Sequence, residues 1–278
     1  MTDQDTRETD LNQGRIAEIW RYPVKSMLGE RLTEGEITER GLVGDRAFAL
    51  LDPETGKVVS AKNPRRWPNL FEFRASYQPE SDRARPVARI TLPDGSILAT
   101  TEPDAETRLS DAAGRSVRLA QSADSTPGAQ GEGYWPDHDW LADRDQTFEF
   151  ELAPGTFFDG AMLHLLTKTT LETLQSTTPA SRFDIRRFRP SLVIESPDGA
   201  AGFVEDAWIG RNLAIGEALI KVDGPCPRCV MTTLPQQDLP KDPAILRTAV
   251  RLNGGNVGVY ASVLRGGRVR QGDQVRLA

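Results

Sequence analysis

The sequence predicts a mainly β protein with a few short helices, a β or α+β fold built from two β domains. Three observations predict it. From Arg15 to about residue 120, short apolar segments alternate with glycine and proline turns, as is typical of a barrel or sandwich. Pro93-Asp94-Gly95 lies between the segments 89–92 and 96–99 and predicts a hairpin. Strand-like runs return after an irregular stretch, so a second β unit is expected.

In chain order, residues 1–13 are polar and acidic and predict a disordered tail. The first β unit spans residues 14–121 and includes an apolar strand from Ala47 to Leu51. Residues 122–158 are rich in Gly, Pro, Asp and Ser and predict an irregular connection. The second unit therefore spans residues 159–278.

Strands and two helices are predicted within this second unit. The strands are expected at residues 162–166 and 191–195, as a pair over 213–222, and at 257–263 and 269–277. Thr169 and Glu172 predict a capping box that opens a short helix through Leu174. Residues 243–252 are helix-like.

The composition narrows the class of partner. The chain has 278 residues, 38% of them hydrophobic, and a formal net charge of −6. This acidity argues against general binding to nucleic acid or an anionic membrane, so a small molecule is the expected partner. The N-terminus has no apolar core and no apolar run reaches about 18 residues, which predicts neither a signal peptide nor a membrane span. A cytoplasmic location with reduced cysteines is expected.

Both cysteines lie in one motif, Cys226-Pro227-Arg228-Cys229, where a strand runs into a turn. A closed zinc site needs four ligands, and the only histidines are His138 and His164, far upstream. A thioredoxin-type pair belongs at the start of a helix, and an iron–sulfur cluster usually takes four thiolates. Zinc binding, thiol exchange and a buried apolar pair are disfavoured but stay open. The favoured hypothesis is one thiolate offered to a soft metal whose other ligands come from a cofactor.

Two turns carry residues suited to an anion. Lys25 and Ser26 follow the first strand, and a point charge beside a hydroxyl can bind an anionic ligand. A solvated loop lysine is the alternative. Arg46 stands at the start of a strand, where it either pairs with Asp45 or binds a phosphate with its planar fork.

Four arginines fall within eight residues: Arg182, Arg186, Arg187 and Arg189. Such a cluster suits a phosphate, although a solvated basic helix face explains the spacing equally well. His164 and Tyr260 lie in apolar strands and are expected to belong to the core unless other evidence places them in a site.

The order of these motifs resembles the MOSC family, named for the C-terminal domain of molybdenum-cofactor sulfurases, preceded by that family's N-terminal β-barrel domain. The match runs from about Gly14 to Ala278, and within the family it is similar to the branch of the mitochondrial amidoxime-reducing component and its bacterial relatives. The segments that carry it are WRYPVKS at 20–26, GLVGDR at 41–46, LHLLT at 163–167, FRPS at 188–191, CPRC at 226–229 with Thr232-Thr233, and VGVY at 257–260.

The resemblance implies a fold and a cofactor. The fold would be an N-terminal MOSC β-barrel-type domain packed on a C-terminal MOSC β-barrel domain. The cofactor would be molybdenum–molybdopterin, with Cys229 as the molybdenum ligand and Cys226 as a neighbour without a metal bond. The remaining site positions implied by the family are Lys25, Ser26, Arg46 and Arg189 around the pterin and its phosphate, and Tyr260 as a site tyrosine.

Two positions depart from the family pattern. Ser191 stands where asparagine is often found, so a hydroxyl would replace one amide contact with the pterin. Pro227 stands where relatives can have serine, so its contact would come from the backbone alone.

The implied function is reduction of N-hydroxylated compounds, such as amidoximes and hydroxylated bases. Electrons would come from a separate protein, a flavin reductase with a ferredoxin or a haem protein. The alternative is a molybdenum-cofactor carrier or sulfur-transfer module that uses Cys226 and Cys229. A weaker third hypothesis is a pseudo-enzyme that only binds a phosphorylated ligand.

Overall fold

The structure, a computed structural model, describes residues 12–77, 87–122, 130–134, 147–152 and 155–278. The predicted tail, residues 1–13, lies outside these ranges except for its last two residues. Asn12 and Gln13 belong to the first described strand, so this strand begins two residues before the predicted boundary at residue 14.

The described residues are dominated by short strands, as predicted. The strands are β1 (Asn12–Arg21), β2 (Glu30–Leu32), β3 (Glu34–Thr38), β4 (Gly41–Leu42), β5 (Phe48–Leu51), β6 (Arg74–Tyr77), β7 (Ala88–Thr91), β8 (Ile97–Ala99), β9 (Arg118–Gln121), β10 (Gln130–Tyr134), β11 (Thr147–Glu151), β12 (Leu163–Thr167), β13 (Leu192–Glu195), β14 (Asn212–Ile215), β15 (Ala218–Pro227), β16 (Asn256–Arg265), β17 (Gly267–Arg270) and β18 (Gln274–Leu277). Helices are α1 (Ala105–Ala113), α2 (Lys168–Thr177), α3 (Ile185–Phe188) and α4 (Ala244–Asn253), with 3-10 turns at Leu70–Glu72, Val204–Trp208 and Val230–Thr233.

Seven strands close into a barrel in the order β1, β13, β12, β16, β15, β14 and β18, and β18 pairs again with β1. Only the β12–β13 pair is parallel; the other pairs in the ring are antiparallel. Closure leaves no unpaired edge within the ring. Apolar side chains with almost no exposure fill the interior, among them Ile19, Leu165, Ile220 and Val259.

The first strand of the chain belongs to this C-terminal barrel. Ile16 and Ile19 of β1 pair with Ile194 and Leu192 of β13. In return β17, near the C-terminus, pairs with β3. The predicted division at residues 121 and 159 stays a prediction, and hydrogen-bonded strands cross it in both directions.

The rest of the N-terminal half forms small sheets: β4–β3–β17, β5–β9 and β6–β7–β8. The predicted hairpin around Pro93-Asp94-Gly95 is present as β7 and β8. A second apolar core lies here, built from residues such as Met27, Phe71, Phe73 and Ile90. Phe73 and Ile90 have no exposed surface.

Two helices depart from the sequence expectations. Helix α1 was not expected among the N-terminal strands, although Gly114 ends it in the left-handed conformation that favours glycine. Helix α2 begins earlier than the predicted capping box: Thr167 is the N-cap and its hydroxyl accepts from the Thr170 amide. Thr169 therefore lies inside the first turn, where it caps nothing.

The connection at 122–158 is not wholly irregular. Its described residues include the antiparallel hairpin β10–β11, in which Gly131 pairs with Phe150 and Gly133 with Phe148. A Cβ on either glycine would lie within 3.0 Å of the opposite ring. The aromatic side chains thus cover the glycines across the strand pair, an arrangement the glycine-rich composition concealed.

The helices of the described residues lack the length and hydrophobicity that a transmembrane helix requires.

Candidate functional site

One cavity gathers most of the predicted site residues from both halves of the chain. Its wall consists of Lys25, Ser26, Arg46, Lys62, Phe157, Phe158, Asp159, His164, Phe188, Arg189, Pro227, Arg228, Cys229, Met231 and Tyr260. Five of these side chains are basic and one is a carboxylate. The wall is therefore strongly cationic, although the chain as a whole is acidic.

Three wall residues have an unusual backbone conformation. Ser26, Arg46 and Arg189 have φ values of 63°, 47° and 56°, and the one other non-glycine residue with positive φ in the described ranges is Gln237. A left-handed conformation at a non-glycine residue costs energy and concentrates at functional sites. At Arg189 it follows directly from helix α3, which ends there. The chain thus uses strained turns to direct these side chains into the cavity.

Arg46 and Arg189 form the buried cationic end of the cavity. Their guanidinium carbons lie 4.4 and 4.2 Å from the centre of the Tyr22 ring. Arg46 pairs with Asp45 and donates to the Arg189 carbonyl at 3.2 Å. Burial, and next the charge of Arg46, lower the pKa of Arg189 to about 9. An anion bound beside both guanidinium groups would relieve this repulsion.

Lys25 and Asp159 form an ion pair on the same wall. The Lys25 ammonium also donates to the Phe157 carbonyl at 2.9 Å. Burial lowers the pKa of Lys25 to about 8, and Asp159 opposes that shift. Ser26, next in the chain, turns its hydroxyl to the Ala61 amide at 3.0 Å. Both side chains are therefore fixed by contacts within the protein.

The two cysteines differ in their surroundings. Cys226 is fully buried in β15, and Arg228 Nη1 donates to its sulfur at 2.7 Å. Burial raises the pKa of the Cys226 thiol. The charge of Arg228 and a hydrogen bond from Tyr260 both lower this pKa and offset part of the rise. Cys229 is half-buried on the cavity wall, at the start of the 3-10 turn Val230–Thr233. Only Cys229 thus lies on the wall.

Arg228 has one buried donor without a partner. Its Nη2 donates to the Phe188 carbonyl at 2.7 Å and its Nη1 to Cys226, whereas Nε is buried and unpaired. A buried unpaired donor is costly in a native protein. A ligand that accepts a hydrogen bond in this cavity would satisfy it.

Tyr260 lies on the wall with its ring in edge contact with Phe158 and His164, at centroid distances of 6.5 and 6.1 Å. Burial raises the pKa of its phenol, so the hydroxyl keeps its proton at physiological pH. His164 is a core histidine, as expected from its apolar strand: it is buried, and Nε2 lies 3.1 Å from the Val257 carbonyl. Its ring nonetheless reaches the wall.

Ser191 is the one predicted site residue that the cavity wall does not include. It is fully buried, and its hydroxyl accepts from the His164 amide at 3.3 Å. Its own amide donates to the His164 carbonyl. Ser191 thus joins β12 to the start of β13, whereas Pro227 lies on the cavity wall and its contact with a pterin stays a prediction.

The arginine cluster divides into three environments. Arg189 faces the cavity, whereas Arg182 and Arg186 form ion pairs with Asp238 near the surface. Arg187 is buried and donates to four backbone carbonyls. The cluster in the sequence therefore contains one residue of the cavity wall, two residues in surface ion pairs and one buried structural residue.

Sequence reasoning missed Lys62 and Asp159, whose ammonium and carboxylate lie 2.9 Å apart on the wall. Phe157, Phe158 and Met231 were also missed as wall residues. Neither Lys62 nor Asp159 belongs to a local pattern, and they are separated by nearly a hundred residues in the sequence. The available sequence signal was that Lys62 follows the largely apolar segment 58–61.

Two family models match the chain. The MOSC N-terminal beta barrel domain matches residues 13–131, and the MOSC domain matches residues 154–276. Every wall residue of the cavity lies within one of these two ranges.

Named relatives match over most of the chain. The mitochondrial amidoxime reducing component 2 of Rattus norvegicus is 26% identical over 306 residues, which cover 97% of this chain and 85% of the relative. The protein of the same name from Homo sapiens is 27% identical and covers 94% of this chain and 83% of the relative. The molybdenum cofactor sulfurase of Anopheles gambiae is 26% identical and covers 90% of this chain but 34% of that longer protein. With its closed seven-strand barrel and both domain matches, the chain belongs to the MOSC family, with a MOSC N-terminal beta barrel domain preceding the MOSC domain.

Proposed function

We propose that this protein binds a molybdenum cofactor through Cys229 and reduces N-hydroxylated small molecules, such as amidoximes. The observation that carries the proposal is the half-buried Cys229 thiol on the wall of a cavity with five basic side chains and one carboxylate. A soft thiolate suits molybdenum, and the basic groups suit the phosphate of a pterin cofactor. The names of the relatives support the same activity.

The residues present fit such a group. Arg228 has a buried donor without a partner, and the buried guanidinium groups of Arg46 and Arg189 both lie against the Tyr22 ring, where a bound anion would offset their charges. Arg46, Arg189 and Lys25 would hold the phosphate and pterin, Cys229 would ligate the metal, and Pro227 would line the site with its backbone. Bound molybdenum would supply the removal of oxygen from the N–OH group, with two electrons and two protons yielding the N–H product and water.

Tyr260 would orient the substrate rather than take up a proton. Burial keeps its phenol protonated, and turning its one O–H from the Cys226 sulfur toward the cavity would let it donate a hydrogen bond to a substrate. Phe158 packs against the edge of the same ring and fixes its position. The rings of Phe157 and Phe158 would help to exclude water from the reacting atoms.

The electrons would come one at a time from a separate donor protein, a flavin reductase with a ferredoxin or haem protein. Among the described residues, no group of three or more His, Cys, Asp or Glu side chains could hold a further metal ion. We expect the protein to work in the cytoplasm with small-molecule substrates.

The second candidate is a cofactor carrier or sulfur-transfer module. It is favoured by the likeness to molybdenum cofactor sulfurases and by the presence of two thiols. A relay that uses both thiols requires Cys226 to become accessible, and Cys226 is fully buried with Arg228 on its sulfur. This burial supports the single-ligand proposal over the relay.

The test is to express the wild type, Cys229→Ala and Cys226→Ala in a host that makes the cofactor, and to measure molybdenum, oxidised pterin and reduction of benzamidoxime. We expect near-stoichiometric metal and activity in the wild type, loss of both in Cys229→Ala, and retention of most in Cys226→Ala. Equal loss in the two variants would contradict the single-ligand assignment. Folded wild-type protein without pterin would favour the sulfur-transfer candidate.

Arg189→Ala tests the phosphate assignment separately. We expect the variant to purify without cofactor, because the buried guanidinium beside Arg46 is lost from the cationic end of the cavity. Arg182→Ala is the matched control, since Arg182 belongs to the same segment but pairs with Asp238 at the surface. Full molybdenum content in Arg189→Ala would count against the assignment.

A further inference from the structure

Lys62 lies on the cavity wall but has no part in the roles given above. It follows the buried segment 58–61 and packs against the β10–β11 hairpin. A Cβ on Gly133 of that hairpin would lie 2.8 Å from the Lys62 Cβ. The absence of a side chain at Gly133 therefore lets the stem of Lys62 pass beneath the hairpin toward the cavity.

The Lys62 ammonium is held in place by two contacts. It lies 2.9 Å from Asp159 Oδ2 and 4.0 Å from the centre of the Phe150 ring. Of its side chain, 16% remains exposed, compared with 5% for Lys25. Lys62 is thus anchored inside the wall while its charge remains accessible from solvent.

The charge of Lys62 is only partly neutralised. Asp159 pairs with Lys25 through Oδ1 and with Lys62 through Oδ2, so one carboxylate serves two ammonium groups. Lys25 is also bound to the Phe157 carbonyl and is buried. One positive charge therefore remains in this part of the wall, and Lys62 is the group that presents it to an entering molecule.

The other wall cations are engaged elsewhere. Arg46 and Arg189 each lie against the Tyr22 ring, and the two terminal nitrogens of Arg228 are bound to Cys226 and Phe188. In the proposed function the two buried arginines would serve the cofactor. Lys62 is then the partly exposed cation left for the substrate.

We propose that Lys62 makes this cavity select N-hydroxylated substrates that carry a carboxylate or phosphate group. The inference rests on the proposed function and names the substrate class of the same site. The carboxylate or phosphate would pair with the exposed part of the Lys62 ammonium while the N–OH group reaches the metal. Because the pairing is the same in the ground state and the transition state, it lowers KM and leaves kcat unaffected.

The experiment compares 4-carboxybenzamidoxime with its methyl ester, which has similar size and no charge, on molybdenum-loaded protein. The measured quantity is the ratio of the two kcat/KM values. We expect a ratio of at least about five in favour of the carboxylate at low ionic strength, as a partly exposed charge pair provides. The ratio should fall as salt is added, and the preference should reside in KM.

Three variants assign the preference to Lys62. In Lys62→Met the ratio should fall to about one, and in Lys62→Arg it should be kept. Lys57→Met is the matched control: Lys57 pairs with Glu132 and Glu149 of the same hairpin and does not line the cavity. Removing that lysine changes the net charge equally and should leave the ratio unaltered.

The experiment distinguishes failure of the proposed function from failure of the selection for anionic substrates. A loaded wild type that reduces neither compound would overturn the proposed function itself. A wild type that reduces both with a ratio near one would overturn only the selection for anionic substrates, as would an unchanged ratio in Lys62→Met. Should Lys62→Met fail to fold, the wild-type ratio and its salt dependence decide the matter.

Discussion

Arg187 anchors the turn that follows Cys229, and its replacement by methionine tests how the site is held. The guanidinium is buried and donates to the carbonyls of Arg182, Thr232, Leu234 and Pro240 at 2.8–3.2 Å. These bonds join helix α3 to the segment that continues the 3-10 turn Val230–Thr233. The turn itself begins at Cys229.

The expected loss of stability in Arg187→Met follows from these four hydrogen bonds. Arg187→Met leaves four carbonyls without this donor, at roughly 1 kcal/mol each. Relief of the buried charge offsets part of the loss. We expect the free energy of unfolding to fall by about 3 kcal/mol and Tm to fall by about 6–12 °C.

Arg186→Met is the matched control for this measurement. Arg186 lies on the same helix, but it pairs with Asp184 and Asp238, and the Asp238 side chain is 55% exposed. A pair of this kind contributes about 1 kcal/mol or less, so Tm should change by at most about 3 °C. Thermal unfolding followed by circular dichroism measures both variants. Equal shifts for Arg186→Met and Arg187→Met, or a negligible shift for Arg187→Met, would refute the anchoring role.

Three further predictions follow from burial. In cofactor-free native protein, iodoacetamide should modify Cys229 well before the buried Cys226, as peptide mass spectrometry can check; equal rates would contradict the burial of Cys226. Gly258→Ala should lower the free energy of unfolding, measured by thermal unfolding, by more than about 2 kcal/mol, because at φ +81° its Cβ would lie 2.5 Å from the Leu165 carbonyl oxygen. Gly224→Ala in the neighbouring strand is the control. Its Cβ would meet nothing within 4 Å, so this variant should be tolerated. Burial raises the pKa of the Glu205 carboxyl above 4.5, so the folded state binds this proton more tightly than the unfolded state does. The protonated carboxyl therefore adds to the free energy of unfolding. This contribution is full below about pH 4.5 and is lost as the pH rises through the folded-state pKa. Glu205→Gln should therefore lose less Tm than the wild type between about pH 5 and about pH 8, and identical losses would argue against this role.

The strands and the site motifs were predictable to different degrees. The hairpin at β7–β8 follows from Pro93-Asp94-Gly95, and the strands β12 and β13 follow from their apolar runs. Helix α1 was missed because its sequence has a short apolar face, with only Ala105, Leu109 and Ala113 buried. The β10–β11 hairpin was missed because glycines pair there with aromatic residues, which obscures the alternating pattern.

The environments of clustered charged residues were harder to predict from the sequence than those of single motif residues. The sequence could not separate Arg187, which lies in helix α3, from Arg189, which directly follows it, because the neighbours that their side chains contact are distant in the chain. Asp159 and Lys62 were missed for a related reason. An ion pair between residues so distant in sequence leaves no local pattern.

The amino-acid sequence was sufficient to predict that the chain is mainly β, that Cys229 lies in a strand-to-turn motif, and that basic residues stand at several turns. These properties depend on local periodicity, turn chemistry and motif order, which are written in neighbouring residues. The three-dimensional structure was needed to show that β1 completes the C-terminal barrel, that Ser191 lies off the cavity wall, and that Cys226 is buried while Cys229 is half-buried on that wall. The physical reason is that barrel closure and side-chain burial are set by contacts between segments far apart in the chain, and such contacts are not encoded in any one segment.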